Sequence, residues 1–281
     1  MITVDENRNS NISSEHSEEL LNIIENFRLM DDTFMSKVFE DKACAELLLR
    51  VILNRDDLTV VKVVSQFELK NLQGRSARLD IYAVDEHGKQ YDVEVQRSDD
   101  GAAPRRARYN SSLLDANLLN PGDKFDELPE SYIIFITEHD VLKGGKPLYT
   151  VNRTISELDH AIFTDGSHII YVNGEIRNGT ALDELMQDFF CKDPREMHYK
   201  VLSDRAGYFK KDKEGVDTMC KLVEDYGEKR ARQAAELASN ERAVRMANNL
   251  WNKGERDLQQ IADLTDLPLD EVKKLFEGKT A

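Results

Sequence analysis

Two short runs of alternating polar and apolar residues between positions 78 and 96 constrain this chain more than any other feature. Tyr91-Asp92-Val93-Glu94-Val95-Gln96 has the two-residue period of a strand, so Asp92, Glu94 and Gln96 share one face while Val93 and Val95 share the other. Arg78-Leu79-Asp80-Ile81-Tyr82 alternates in the same way and sets Asp80 opposite Leu79 and Ile81. Between the runs, Asp85-Glu86-His87-Gly88 has the composition of a hairpin turn. An antiparallel pair built like this can bring Asp80 and Glu94 within reach of one cation. Carboxylates gathered on a strand pair repel each other unless a positive ion lies between them, and hard oxygen donors select Mg²⁺ or Mn²⁺. The plainer alternative is that Asp80, Asp92 and Glu94 form the solvated face of a half-buried sheet.

The segments around this pair define the rest of the core. Phe34, Val38, Phe39, Leu47, Leu48, Val51 and Ile52 recur at spacings of three and four, which predicts an amphipathic helix that stops near Asn54-Arg55-Asp56-Asp57. Thr59–Phe67 predicts a strand ahead of the pair. Ala102–Leu119 predicts a helix that opens near Pro104 and ends at Asn120-Pro121-Gly122, and Tyr132–Thr137 a further strand. Leu148–Arg153 and His168–Asn173 read as added strands, and Ala181–Phe190 as another helix. Residues 1–28 are expected to form a flexible leader, polar at its start. From about 216 the chain turns Ala-, Glu- and Arg-rich, the composition of a long charged helix with a possible break near Gly227. Residues 257–276 then suggest a helix-turn-helix, although Asp266 stands where such turns often carry glycine.

The formal net charge of −15 counts against binding a polyanion, unless basic residues are gathered locally. Two acid-free stretches do gather them, and both flank the carboxylates. KNLQGRSAR contributes Lys70, Arg75 and Arg78, while GAAPRRARYNSSLL contributes Arg105, Arg106 and Arg108 with Tyr109 beside them. A helix can present Arg105 and Arg108 on one face, suited to phosphate contacts. Other chemistries lack a basis. The three cysteines have no CxxC spacing, and neither a GxxxxGK[ST] nor a GxSxG motif occurs. With no run of about 18 apolar residues, a membrane span is not expected, and a cytoplasmic location is.

Several motifs in this order resemble the PD-(D/E)XK nuclease family transposases: LMDDTFMSKVF (29–39), NLQGRSARLDIYA (71–83), YDVEVQR (91–97), RRARYNSSLLDANLL (105–119) and LPESYIIFITEHD (128–140). The similarity covers roughly residues 29–190 and is expected to fade beyond about 220. It implies an α/β fold with a restriction-endonuclease-like α-β-β-β-α-β core over 29–215, a mixed sheet flanked by helices, and a helical extension over 216–281. It also implies Mg²⁺-dependent hydrolysis of DNA phosphodiesters, with Mn²⁺ as a possible substitute, in recombination or mobile elements. By the same resemblance Asp80 and Glu94 hold the ion, helped by the backbone carbonyl of Val95, and Gln96 completes the catalytic set. Glu46 is the first candidate for an additional acidic ligand and Asp32 the second. Gln96 stands where the superfamily pattern has lysine, so it can orient water but adds no charge. The alternative function is a weak or inactive nuclease fold that binds DNA or a partner. The C-terminal helices are candidates for homodimer formation.

Overall fold

The computed structural model describes residues 17–71 and 74–277, and divides the chain into two compact units, Met1–Cys220 and Lys221–Ala281. In the first unit, helix α1 (17–26) precedes α2 (Asp32–Val38), α3 (Lys42–Leu53), β1 (Val60–Leu69), β2 (Ala77–Asp85), β3 (Gln90–Gln96) and α4 (Pro104–Ala116). Then come β4 (Ser131–Thr137), β5 (Leu148–Val151), the small hairpin β6 (Thr154–Ile155) and β7 (Ala161–Ile162), β8 (Ser167–Asn173), α5 (Ala181–Phe190) and α6 (Lys200–Lys211). Six strands form one mixed sheet in the order β1-β2-β3-β4-β8-β5. β1, β2 and β3 pair antiparallel, β3, β4 and β8 parallel, and β5 returns antiparallel along β8. Parallel neighbours need a crossover, which α4 supplies between β3 and β4. The expected α-β-β-β-α-β core is therefore present as α3, β1 to β3, α4 and β4.

Helix α4 covers one face of the sheet. Its Ala107, Leu113 and Leu114 pack with Leu79, Tyr82, Ile133, Phe135 and Tyr171 in a continuous apolar cluster. Elsewhere α3 lies along β1 and packs against α5 and α6. The feature that positions the site is a fork in the sheet. Pairing of β2 with β3 runs from Val84 and Gln90 to Ile81 and Val93 and ends there, one residue short of Asp80 and Glu94. Beyond that point β2 stays paired with β1 as far as Ala77, and β3 with β4 as far as Gln96.

Some expectations need correcting. Part of the leader expected over residues 1–28 is regular structure. Residues 17–26 are helical, with Leu20 and Ile24 buried, because these two apolar side chains four apart give a short helix a face to bury; residues 1–16 lie outside the described residues. The first amphipathic helix is two helices, divided where the Asp41 carboxylate caps α3 by accepting the Ala43 and Cys44 N–H groups. Helix α7 (Lys213–Asn252) continues through Gly227 without a break, since one glycine costs only ~1 kcal/mol in a helix of good formers. Helix α6 has no counterpart in the expectations.

The second unit holds its own core. Ala247 and Trp251 of α7 pack with Ile261 and Ala262 of α8 (Leu258–Thr265), with Leu267, and with Val272 and Phe276 of α9 (Leu269–Phe276). Trp251 and Phe276 stack with ring centroids 4.3 Å apart. Asp266 takes the left-handed turn conformation at φ 56°, the role usually given to glycine. Among the described residues no helix is long and apolar enough to cross a membrane.

Candidate active site

The register of the β2–β3 hairpin is fixed at its turn. Asp85 Oδ1 accepts the His87 and Lys89 N–H groups, its Oδ2 accepts the Tyr91 hydroxyl at 2.8 Å, and Gly88 supplies the positive φ. Counting back from this turn brings Asp80 level with Glu94 where the strands part. The Val95 N–H, beyond the end of the β2–β3 ladder, donates to Asp80 Oδ2 at 3.1 Å. The other oxygen, Oδ1, accepts from Gln66 Nε2 at 3.4 Å. Glu94 is fully buried and meets three donors: the Arg106 guanidinium, Gln96 Nε2 at 3.2 Å and Asn110 Nδ2 at 3.3 Å.

Arg106 and Asn110 are one helical turn apart on α4, so one face of that helix serves the site while Arg105, Arg108 and Tyr109 stay exposed. The Arg106 guanidinium bridges Glu94, Gln96 Oε1 at 3.2 Å and the Gly101 carbonyl at 2.8 Å. Asp92 is fully buried; its Oδ2 accepts from Asn110 at 3.4 Å and its Oδ1 has no hydrogen-bond partner among the described residues.

Three buried carboxyls with one guanidinium between them leave a deficit of positive charge. Burial raises Asp80 to about 6, against the pull of the Val95 N–H, and the negative charge of Asp32 adds to the rise. Burial again, then repulsion from Asp80, raises Glu94 to about 8 despite Arg106. Asp92 is raised too, by burial first and by Glu94 and Asp80 next. Buried carboxyls short of positive charge are the kind of oxygen donor that a hard divalent cation can hold ionised. Among the described residues no three His, Cys, Asp or Glu side chains are gathered to hold an ion unaided. An ion held by Asp80 and Glu94 would therefore need further oxygen from the backbone or solvent.

The remaining expected residues divide into those near the pair and those away from it. Glu46 is engaged elsewhere: its Oε2 accepts the Val60 N–H at 2.9 Å, and its Oε1 pairs with Arg50 at 2.8 Å. Asp32, at the start of α2, is the acid whose charge reaches both Asp80 and Glu94. Arg97 points away from the site to Asp31 at 2.8 Å and Glu138 at 3.3 Å. The two basic segments meet at Tyr109, whose hydroxyl accepts from Asn71 at 3.1 Å and donates to the Arg75 carbonyl. Lys70, Arg75 and Arg78 are exposed, and the positive charge of Arg78 reaches Asp80. Sequence reasoning assigned no role to Gln66, Gly101 and Asn110. Only Asn110 carried a signal, its i, i+4 spacing from Arg106.

A model of the family described as PD-(D/E)XK nuclease family transposase matches residues 35–263. The match runs past the expected limit near 220 and into α8. No curated protein and no solved structure matches the chain.

Proposed function

The chain belongs to the PD-(D/E)XK nuclease family transposases, and from that premise we propose that it hydrolyses DNA phosphodiester bonds with a divalent cation. Asp80, Glu94 and the Val95 carbonyl are the groups that would hold the ion, Mg²⁺ by the hardness of the donors, with Mn²⁺ able to replace it. The observation that carries the reading is the meeting of two buried carboxyls, Asp80 and Glu94, at the fork between β2 and β3 with Arg106 at their side. When bound, the cation supplies Lewis-acid stabilisation of the charge that gathers on the phosphoryl oxygens.

The chain's own residues do the rest. Gln96 is held between Glu94 and Arg106, so its amide has one orientation and can direct a water by hydrogen bonds. Arg106 supplies the positive charge that a glutamine at position 96 cannot. Arg105, Arg108, Tyr109, Lys70, Arg75 and Arg78 lie on the two segments joined by Tyr109, and would grip the backbone on either side of the reacting phosphate. Asp32 is the remaining candidate for the additional acid, and its negative charge adds to the rise of both Asp80 and Glu94. Pairing of two chains through the C-terminal helices would provide one site for each strand of a duplex, as recombination or the movement of an element requires.

The test is incubation of the purified chain with supercoiled plasmid and Mg²⁺. Nicking that Asp80→Ala and Glu94→Ala each reduce at least ~100-fold supports the assignment. Cleavage unchanged in both variants removes these residues from the site. DNA retained without cleavage by the unmodified chain leaves a binding module in place of an enzyme.

A further inference from the structure

Gln66 stands in the middle of β1 with φ 52°, in the left-handed region, and is neither glycine nor asparagine. The strand does not end there. Ser65 pairs with Ile81 and Phe67 with Leu79, so the β1–β2 ladder continues on both sides while Gln66, opposite Asp80, drops out. The twist also changes the phase of the strand. Val64 and Phe67, three residues apart, both pack into the apolar cluster beneath α4, which strict alternation forbids. A side chain in this conformation costs on the order of a kilocalorie per mole, and strained residues of this kind collect where function over-determines them. The Gln66 amide reaches Asp80 Oδ1 at 3.4 Å, while the Val95 N–H fixes Oδ2.

We propose that Gln66 is a positioning residue: the left-handed twist in β1 aims its side-chain amide at Asp80 and sets that carboxylate for the divalent cation. The proposal rests on the nuclease reading of the site. Gln66 Nε2 and the Val95 N–H hold one oxygen each, so the carboxylate has one orientation before any ion arrives. Such outer partners of a ligand commonly contribute 10- to 100-fold in metal affinity.

The experiment compares unmodified protein, Gln66→Gly, Gln66→Ala and Asp80→Ala. Each is measured for its melting temperature without metal and for Mn²⁺ affinity by titration calorimetry. In an ordinary strand residue glycine is the less stable of the pair, whereas at positive φ the order reverses. The expected result is a higher melting temperature for Gln66→Gly than for Gln66→Ala, with Mn²⁺ affinity at least ~10-fold weaker than unmodified protein in both. A merely structural role would not weaken metal binding in a variant that relieves the strain. Affinities within twofold of the unmodified protein, or glycine melting below alanine, overturn the proposal while Asp80→Ala still loses Mn²⁺. Absence of Mn²⁺ binding by the unmodified protein, or binding that survives in Asp80→Ala, overturns the nuclease reading and this proposal with it.

Discussion

Asp80, one residue past the last β2–β3 pair, accepts through Oδ2 at 3.1 Å the backbone N–H of Val95, two residues past it on the other strand. The carboxylate thus takes the position that a strand carbonyl would occupy had the ladder continued. A parted pair of strands leaves backbone donors to be satisfied, and a buried acid leaves a charge to be balanced. This bond answers the first need and only part of the second. The remainder falls to Arg106 and, on our reading, to a cation.

Asp80 at about 6 and Glu94 at about 8 keep their protons in the folded chain at pH values where the unfolded chain has lost them. Their contribution to stability is therefore complete below about pH 4 and is lost as pH rises through about 6 to 8. On the proposed reading a divalent cation would replace those protons, so the rise in melting temperature on adding Mg²⁺ should grow over the same range. Scanning fluorimetry with and without Mg²⁺, referenced to an Asp80→Asn/Glu94→Gln double variant, reads both effects. A metal-free melting temperature that tracks the double variant at every pH would contradict the charge balance described here.

Arg106 should not tolerate lysine. Its guanidinium serves Glu94, Gln96 and the Gly101 carbonyl at once from a planar fork, and an ammonium cannot span the same three acceptors. Arg106→Lys is expected to lower kcat about 10-fold and Arg106→Ala about 100- to 1,000-fold, the scale for removing a charged donor from a reacting centre. Because burial already raises Glu94, loss of Arg106 should favour its protonated form and move the rising limb of the pH–rate profile upward. An alanine variant with an unmoved profile and full rate would place Arg106 outside the chemistry.

Gly101 tests Gln96 without touching it. A Cβ at position 101 would lie 2.0 Å from Gln96 Oε1, closer than any real contact, so Gly101→Ala must displace the glutamine side chain from Arg106. Gln96 is partly exposed and has room to yield, so the melting temperature should stay within a few degrees while cleavage falls to the level of Gln96→Ala. If Gly101→Ala cleaves normally, the orientation of Gln96 is irrelevant to the rate.

Arg105 and Arg108 are exposed, and Tyr109 ties their helix to the segment carrying Arg75. Their contribution should be to phosphates and therefore to salt dependence. Fluorescence anisotropy with cleavage-disabled Asp80→Ala protein should give a log–log salt slope that falls by about 1 for Arg105→Ala and for Arg108→Ala. A slope equal to that of the parent in both would move the DNA path elsewhere.

How much was legible follows from how local each determinant is. The Asp80 and Glu94 faces could be read because a two-residue period and a turn of fixed composition are local properties, and Asp85 then pins the register they imply. Which arginine of α4 enters the site could not be read from charge alone. The choice depends on Ala107 and Leu114 lying against the sheet, which rotates Arg106 inward and Arg105 and Arg108 out. The partners of Glu46 could not be read for a similar reason. Its helix position allows many partners, and the one it takes, the Val60 N–H, belongs to a strand fourteen residues away. No residue pattern marks the left-handed twist at Gln66, because glutamine has no preference for it.

The core of the second unit depends on few side chains. Trp251, the single tryptophan of the chain, is buried and stacked on Phe276, with the Arg256 guanidinium 4.3 Å from its ring centroid. A small core loses a large share of its stability with one aromatic, and Phe→Ala at a buried site costs about 3–5 kcal/mol. Phe276→Ala should therefore red-shift the Trp251 emission at room temperature as water reaches the indole. Asp266→Gly should act in the opposite sense by relieving the turn at φ 56°, by about 1 kcal/mol, and partly restore the emission in the double variant. Because no other indole contributes, the spectrum reports this unit alone. Unchanged emission in Phe276→Ala would mean that the stack does not hold α9 in place.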